Sequence, residues 1–216
     1  MMIKETRSHC SPRSFARDQR GTSAIEFALL APPILLLALG GMELATDILT
    51  RSRINALGRL AADNAARISD GTAMQASSVR ESDINDLFLG IQMQSGSLDL
   101  KRNGRVIISS LETNADGGQW IHWQRCYGAA AFTSAYPVGI GAHGTGFGGV
   151  QIKGQTVKAR AGDAVMVVEI AYDYTPLVSA QWAGFTTQQI IGRFAMNVRD
   201  KRNLSGISPN APAAQC

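Results

Sequence analysis

The chain has 216 residues, a net charge of +4 and 45% hydrophobic residues, which suits one folded domain, with or without a membrane stem. Residues 1–21 carry Lys4, Arg7, Arg13, Arg17 and Arg20 against Glu5 and Asp18, five minus two or +3, which leaves +1 for the rest. A nucleic-acid surface is not expected from this distribution, because most of the excess cations flank an apolar segment, where the positive-inside rule accounts for them.

From Phe27 to Met42 no residue is charged, a run of 16 dominated by leucine. As a helix it rises about 24 Å, short of the ~30 Å hydrocarbon core. Counting from Thr22 gives 21 residues and about 31 Å. The segment therefore spans only with Glu26 at or inside the boundary on the Arg-rich side, and a carboxylate held there is expensive. The positive-inside rule puts residues 1–21 in the cytoplasm, residues 22–42 in the membrane and the remainder outside. Three readings compete. A secretory signal needs a small-x-small cleavage site, and Gly40-Gly41-Met42-Glu43-Leu44-Ala45 is a poor one. An uncut signal anchor fits but gives Glu26 no purpose. A prepilin-type leader is cut on the cytoplasmic side, ahead of the apolar run.

The stretch Arg17-Asp18-Gln19-Arg20-Gly21, followed by Thr22-Ser23-Ala24-Ile25-Glu26-Phe27-Ala28-Leu29-Leu30-Ala31-Pro32-Pro33, resembles the start of TadE-like and TadG-like pseudopilins of bacterial tight-adherence (Flp-type) pilus machines. The resemblance implies that a prepilin peptidase cuts the Gly21–Thr22 bond, leaving Glu26 as the fifth mature residue, followed by Phe27. It implies a minor pseudopilin-like structural component, not an enzyme, held in the bacterial inner membrane with a periplasmic outer domain. The implied partners are that peptidase, other pilins or pseudopilins and the pilus assembly platform. The alternative is an unprocessed bitopic protein whose outer domain binds an envelope partner or ligand. The shortness of the chain favours a TadE-like over a TadG-like label.

Cleavage frees an α-amine on Thr22, with a reference pKa of about 7.7–8.0. Thr22 and Glu26 are four apart and face one side of a helix. The carboxylate can pair with its own amine or with a neighbouring subunit's, or it can simply reach toward lipid headgroups. Pro32 and Pro33 each lack an N–H and crowd the carbonyls of Ala28 and Leu29, so a kink or local melting is expected.

Past Glu43 the pattern turns amphipathic: Leu44, Ile48, Ile54, Leu57, Ala61, Ala65 and Ile68, interleaved with Arg51, Arg53, Arg59, Asp63 and Arg67. This predicts a stem over residues 43–70, helical to about Ser69, with Gly71 as its stop. Residues 71–216 form the outer domain. Residues 72–78 read as a loop, and Ser82 caps a short helix through Leu89, with Asp83 and Asp86 at its positive end. Leu98 to Lys101 alternates as a strand does. Val106-Ile107-Ile108 runs toward Glu112, Asn114 to Gly118 is a turn, and Trp120 to Cys126 returns as a hairpin. Residues 128–150 read as an extended loop. Ala164 to Tyr174 is the clearest strand, ended by Pro176, and Ile190 to Arg199 pairs with it. The fold class is α+β: a long membrane-plus-stem helix, then a small antiparallel sheet, pilin-like. Tyr172-Asp173-Tyr174-Thr175-Pro176-Leu177 and the last strand, running into Arg199-Asp200-Lys201-Arg202, also look TadE-like.

Of three cysteines, Cys10 leaves with the leader. Cys126 and Cys216 remain as an even pair in an oxidising compartment, where a disulfide tying the tail to the hairpin is expected, against two free thiols. Gly139-Ile140-Gly141-Ala142-His143-Gly144 matches a dinucleotide-binding pattern, but more glycines follow and no helix can start there, so it reads as a mobile loop. His9, His122 and His143 stand at no metal-ligand spacing, and no metal or cofactor is expected. His122 reads as solvent-facing or satisfied, and Trp120 and Trp123 as core residues, against a partner contact. No nucleophile motif is present.

Overall fold

Helix α1 runs unbroken over Thr22–Arg67, 46 residues and about 69 Å at the helical rise. The computed structural model describes residues 21–68, 77–178 and 186–216. The leader up to residue 20, the expected stop at Gly71 and the link through Phe185 lie outside the described residues. The best apolar window of α1, 18 residues long, is wholly unburied. One long apolar helix near the N-terminus, with none of the described residues covering it, fits a single-pass membrane protein. Helical structure continues through Pro32 and Pro33, so the local melting expected there does not occur.

The second half of α1 buries one stripe: Ile54, Leu57, Gly58, Ala61, Ala62, Ala65 and Ala66. Small residues dominate it, so the backbone can lie close to the sheet. Gly58 marks the closest approach: a Cβ there would come 2.0 Å from Phe194 Cε2, and one at Gly192 would come 2.7 Å from the same atom. The two glycines form the slot that takes the Phe194 ring. α1 ends at Arg67, two residues short of the expected Ser69, with the Ile68 N–H bonded to Asn64 O at 3.1 Å.

The outer domain follows as β1 (Ser77–Arg80), α2 (Glu81–Gln94), α3 (Leu100–Asn103), β2 (Gly104–Thr113), β3 (Gln119–Tyr127), β4 (Val150–Ile152), β5 (Gln155–Val157), β6 (Val165–Tyr174), β7 (Gln188–Asn197) and β8 (Arg202–Ser208). The main sheet has the order β3-β2-β6-β7, every pair antiparallel. β6 is apolar on both faces because both are covered. Met166, Val168 and Ile170 join the core beneath α1 and α2. Val165 and Val167 join a second core with Leu111, Ile121 and Val150.

The β2–β3 register slips between Ser110 and Leu111, making His122 the extra residue of a bulge. The bulge reverses which side each residue serves, so Ile121 enters the second core and Trp123 the first. Trp120, expected in the core beside Trp123, is only half-buried and stacks on the His122 ring at 4.3 Å.

Local capping overrides pattern twice. α2 starts at Glu81, not after Ser82, and passes Leu89 to reach Gln94; Asp83 accepts the Arg80 N–H at 3.3 Å and closes its first turn. Leu100–Asn103 is a helical turn and not the expected strand, because the Asp99 carboxylate accepts the Arg102 N–H at 3.2 Å. The β4–β5 hairpin and the parallel β1–β8 pair were both unexpected. Each has strands of seven residues or fewer, too short to alternate clearly. The glycine-rich segment 128–149 is pinned and not free. Asn114 Nδ2 donates to Gly141 O and Gly144 O at 2.7 Å, and the Gly139 N–H donates to Ile121 O at 2.8 Å. Gly139, Gly141 and Gly144 adopt positive φ to follow this path.

Candidate assembly site on the long helix

Gly21 precedes the first turn of α1 with φ −98°. Thr22 and Glu26 lie one turn apart, and Phe27 is 73% exposed. Glu26 has no hydrogen-bond partner among the described residues. It projects from an exposed apolar helix, where an ionised carboxylate is stable only with a cation or water beside it. Pro32 and Pro33 follow it within the same bare stretch, and Gly21, Thr22, Glu26 and Phe27 share the first turns of α1, all exposed among the described residues.

The other end of the bare stretch is closed by Glu43, the first charge after the apolar run. Its side chain is buried. Tyr174 Oη donates to Glu43 Oε1 at 2.5 Å, and the Leu177 and Val178 N–H groups donate to Oε2 at 2.8 and 3.1 Å. Burial raises the carboxyl's pKa, but the bonds from Tyr174, Val178 and Leu177 outweigh it and hold the group below its ordinary value. Burial and the Glu43 carboxylate push the Tyr174 phenol up to about 12. This clasp fixes the end of β6 to α1 at the point where the helix would leave a membrane. One turn on, Asp47 pairs with Arg51 at 2.9 Å, and Arg51 also donates to Gln188 Oε1 of β7 at 2.9 Å.

The far end of α1 is held by Arg202 of β8. The side chain is buried and donates to Ala65 O at 3.3 Å and Ile68 O at 2.6 Å, two of the carbonyls a helix leaves open at its end. Burial lowers its pKa to about 10, still far above neutral, so the cation persists. α1 is thus gripped by a carboxylate at one end of the stem and a guanidinium at the other.

The outer domain carries its own ties. Cys126 and Cys216 are joined, S–S 2.03 Å, across a separation of 90 residues, and the Cys126 N–H donates to Ala214 O at 2.9 Å. Arg125 forks onto both oxygens of buried Glu81, fixing α2 to β3. Buried Glu169 accepts from Arg193 at 2.9 Å and from the Ser134 hydroxyl, holding the long loop to the sheet. His122 Nδ1 lies 2.8 Å from Glu112, which also accepts from Ser110 at 2.6 Å. Its Nδ1 is satisfied within the fold. Among the described residues no three His, Cys, Asp or Glu side chains converge as metal ligands. The disulfide stands apart from Glu26, so the site residues read from the sequence fall in two places.

Glu43, Tyr174 and Arg202 were not legible as a set. Their signals were a charge at the first position past the apolar run and a tyrosine two residues before Pro176. The pairing itself joins positions 131 apart. Residues 21–67, which are Gly21 and the whole of α1 to Arg67, match the family model described as TadE-like protein. TadE-like proteins are structural components associated with Tad pili. No curated protein and no solved structure matches the chain.

Proposed function

We propose that this chain, TadE-like from Gly21 through α1, is a minor pseudopilin-like structural subunit of a tight-adherence (Flp-type) pilus or a related secretion apparatus. A prepilin peptidase cuts the Gly21–Thr22 bond. The leader faces the cytoplasm, α1 holds the protein in the inner membrane, and the outer domain stands in the periplasm until the subunit joins other pilins at the assembly platform. The observation that carries this reading is Glu26: a carboxylate on a bare apolar helix, one turn from the amine that the cut would create. In a membrane that charge is stabilised by the new amine of its own chain or of a neighbour. The second pairing sets the register of one helix against the next.

The outer domain has a buried core and firm ties to the stem, so it moves with α1 as one handle. It caps, primes or stabilises the fibre through surfaces outside the membrane. Substituting Glu26→Ala leaves the outer domain folded, since Glu26 bonds to none of its described residues, and lowers incorporation into sheared pilus fractions at least tenfold while the protein still reaches the membrane. Immunoblotting of sheared and membrane fractions reads both quantities. Normal incorporation by the alanine variant removes the role given to Glu26.

A further inference from the structure

The two flanks of the outer domain carry complementary surfaces. β3 and β7 are the opposite edges of the main sheet. On the β7 edge a hollow of about 190 Å³ lies between α1 and the β4–β5 hairpin, lined by Arg59, Lys153, Arg193 and, as its apolar floor, Ala62, Ala195 and Met196. Arg193 is engaged with Glu169, but Arg59 and Lys153 are exposed and pair with no carboxylate among the described residues. Lys153 sits at φ +50°, followed by Gly154 at +81°. The two-residue turn needs both angles positive, and Asn or Asp is the usual choice before the glycine. A lysine kept there places a cation at the tip of the hairpin, over the hollow.

On the β3 side, α2 is fixed by the Glu81–Arg125 fork and shows solvent a narrow stripe of Asp86, Leu89 and Met93, spaced at i, i+3 and i+7. Leu89 is 58% exposed and Met93 76%. Asp86 is exposed and has no cation partner among the described residues. The stripe offers one carboxylate with two apolar side chains beside it. The hollow offers two free cations around an apolar floor.

We infer that the outer domains of two copies of this chain meet head to tail, with the Asp86–Leu89–Met93 stripe of one seated in the Arg59–Lys153–Met196 hollow of the next. Because donor and acceptor are different surfaces on opposite flanks, the contact is head to tail, and each copy in a pair keeps one surface of each kind for a further subunit. This contact rests on the assembly reading above and adds to it a second set of bonds, outside the membrane and independent of Glu26.

Full-length Leu89→Cys and Met196→Cys chains, each also carrying Cys10→Ser, test the contact by oxidation in detergent, separately and mixed. The mixture is expected to yield a crosslinked dimer at least fivefold above either chain alone. Asp86→Lys in the first chain is expected to abolish it, and Arg59→Glu with Lys153→Glu in the second to restore it. Equal crosslinking of either chain alone, no crosslink in the mixture, or indifference to Asp86→Lys overturns the contact. N-terminal sequencing of the same samples separates the two claims. A missing crosslink in chains that begin at Thr22 overturns the contact alone. A crosslink in chains left uncut by cells with an active prepilin peptidase upholds the contact and overturns the processing.

Discussion

Replacing Glu43 with alanine lowers the stability of the folded chain by about 3 kcal/mol, since it strips a charged acceptor from a buried phenol and two backbone N–H groups. The Tyr174 hydroxyl stays buried and loses its partner, and the Leu177 and Val178 N–H groups lose theirs. Denaturant melts in detergent measure the loss, and limited proteolysis near Leu177 localises it. Tyr174→Phe removes one donor and leaves the carboxylate two, so its cost is about 1 kcal/mol. A Glu43→Ala midpoint equal to that of the unmodified chain contradicts the clasp.

The same clasp has a pH window. Glu43 titrates lower in the folded state than in the unfolded one, so its contribution is complete above the ordinary glutamate range. That contribution drains away as pH falls through the folded value. The Tyr174 phenol is raised from 10.0 to about 12. Its contribution is complete below the first value and is lost as pH rises toward the second. The junction between helix and outer domain is therefore firm across the neutral range and loosens at both extremes, and the Glu43→Ala variant lacks the acid limb.

The second large effect belongs to the disulfide. Cys216→Ser releases a closure spanning 90 residues, worth about 4 to 5 kcal/mol in the chain-entropy model. The bond anchors the tail beside β3, where Ala214 also accepts the Cys126 N–H. Reductant added to the unmodified chain is expected to lower its denaturation midpoint to that of the serine variant and to leave the variant unchanged. Equal midpoints for the oxidised chain and the variant contradict a stabilising bond.

The long helix was legible because hydrophobicity, charge placement and the basic junction all act locally. Sixteen uncharged residues after Glu26, extended back to Thr22, give a helix of about membrane length. β2, β3, β6 and β7 were legible because their nine- and ten-residue lengths hold enough apolar residues to show strand texture. The failures share one cause: short-range patterns that other contacts override. Leu98 to Lys101 alternates, yet Asp99 caps a helical turn. Trp120 and Trp123 look equivalent, yet the His122 bulge sends only Trp123 into the core. Ser77–Arg80 and Arg202–Ser208 lie more than a hundred residues apart, and neither shows by itself that it will pair.

The candidate site divides in the same way. Gly21, Thr22, Glu26 and Phe27 could be read because their chemistry is carried by neighbours in sequence. The Glu43 clasp and the Arg202 cap depend on distant segments brought together by the sheet. Glu43 looked like the end of an apolar run, and its partners emerge only when β6 is laid against α1. Both ends of the stem are tied down by charged groups, while the charge near the start of α1 has no partner among the described residues. That contrast supports the proposal that Glu26 works between subunits, whereas Glu43 works within one.

The most direct test is the N-terminal sequence of the protein purified from membranes of cells that carry the cognate prepilin peptidase. A chain beginning at Thr22 is expected, with the uncut form accumulating when the peptidase is absent. A chain beginning at Met1 or Met2 in the presence of an active peptidase contradicts processing at Gly21, and with it the pairing of Glu26 with a new amine.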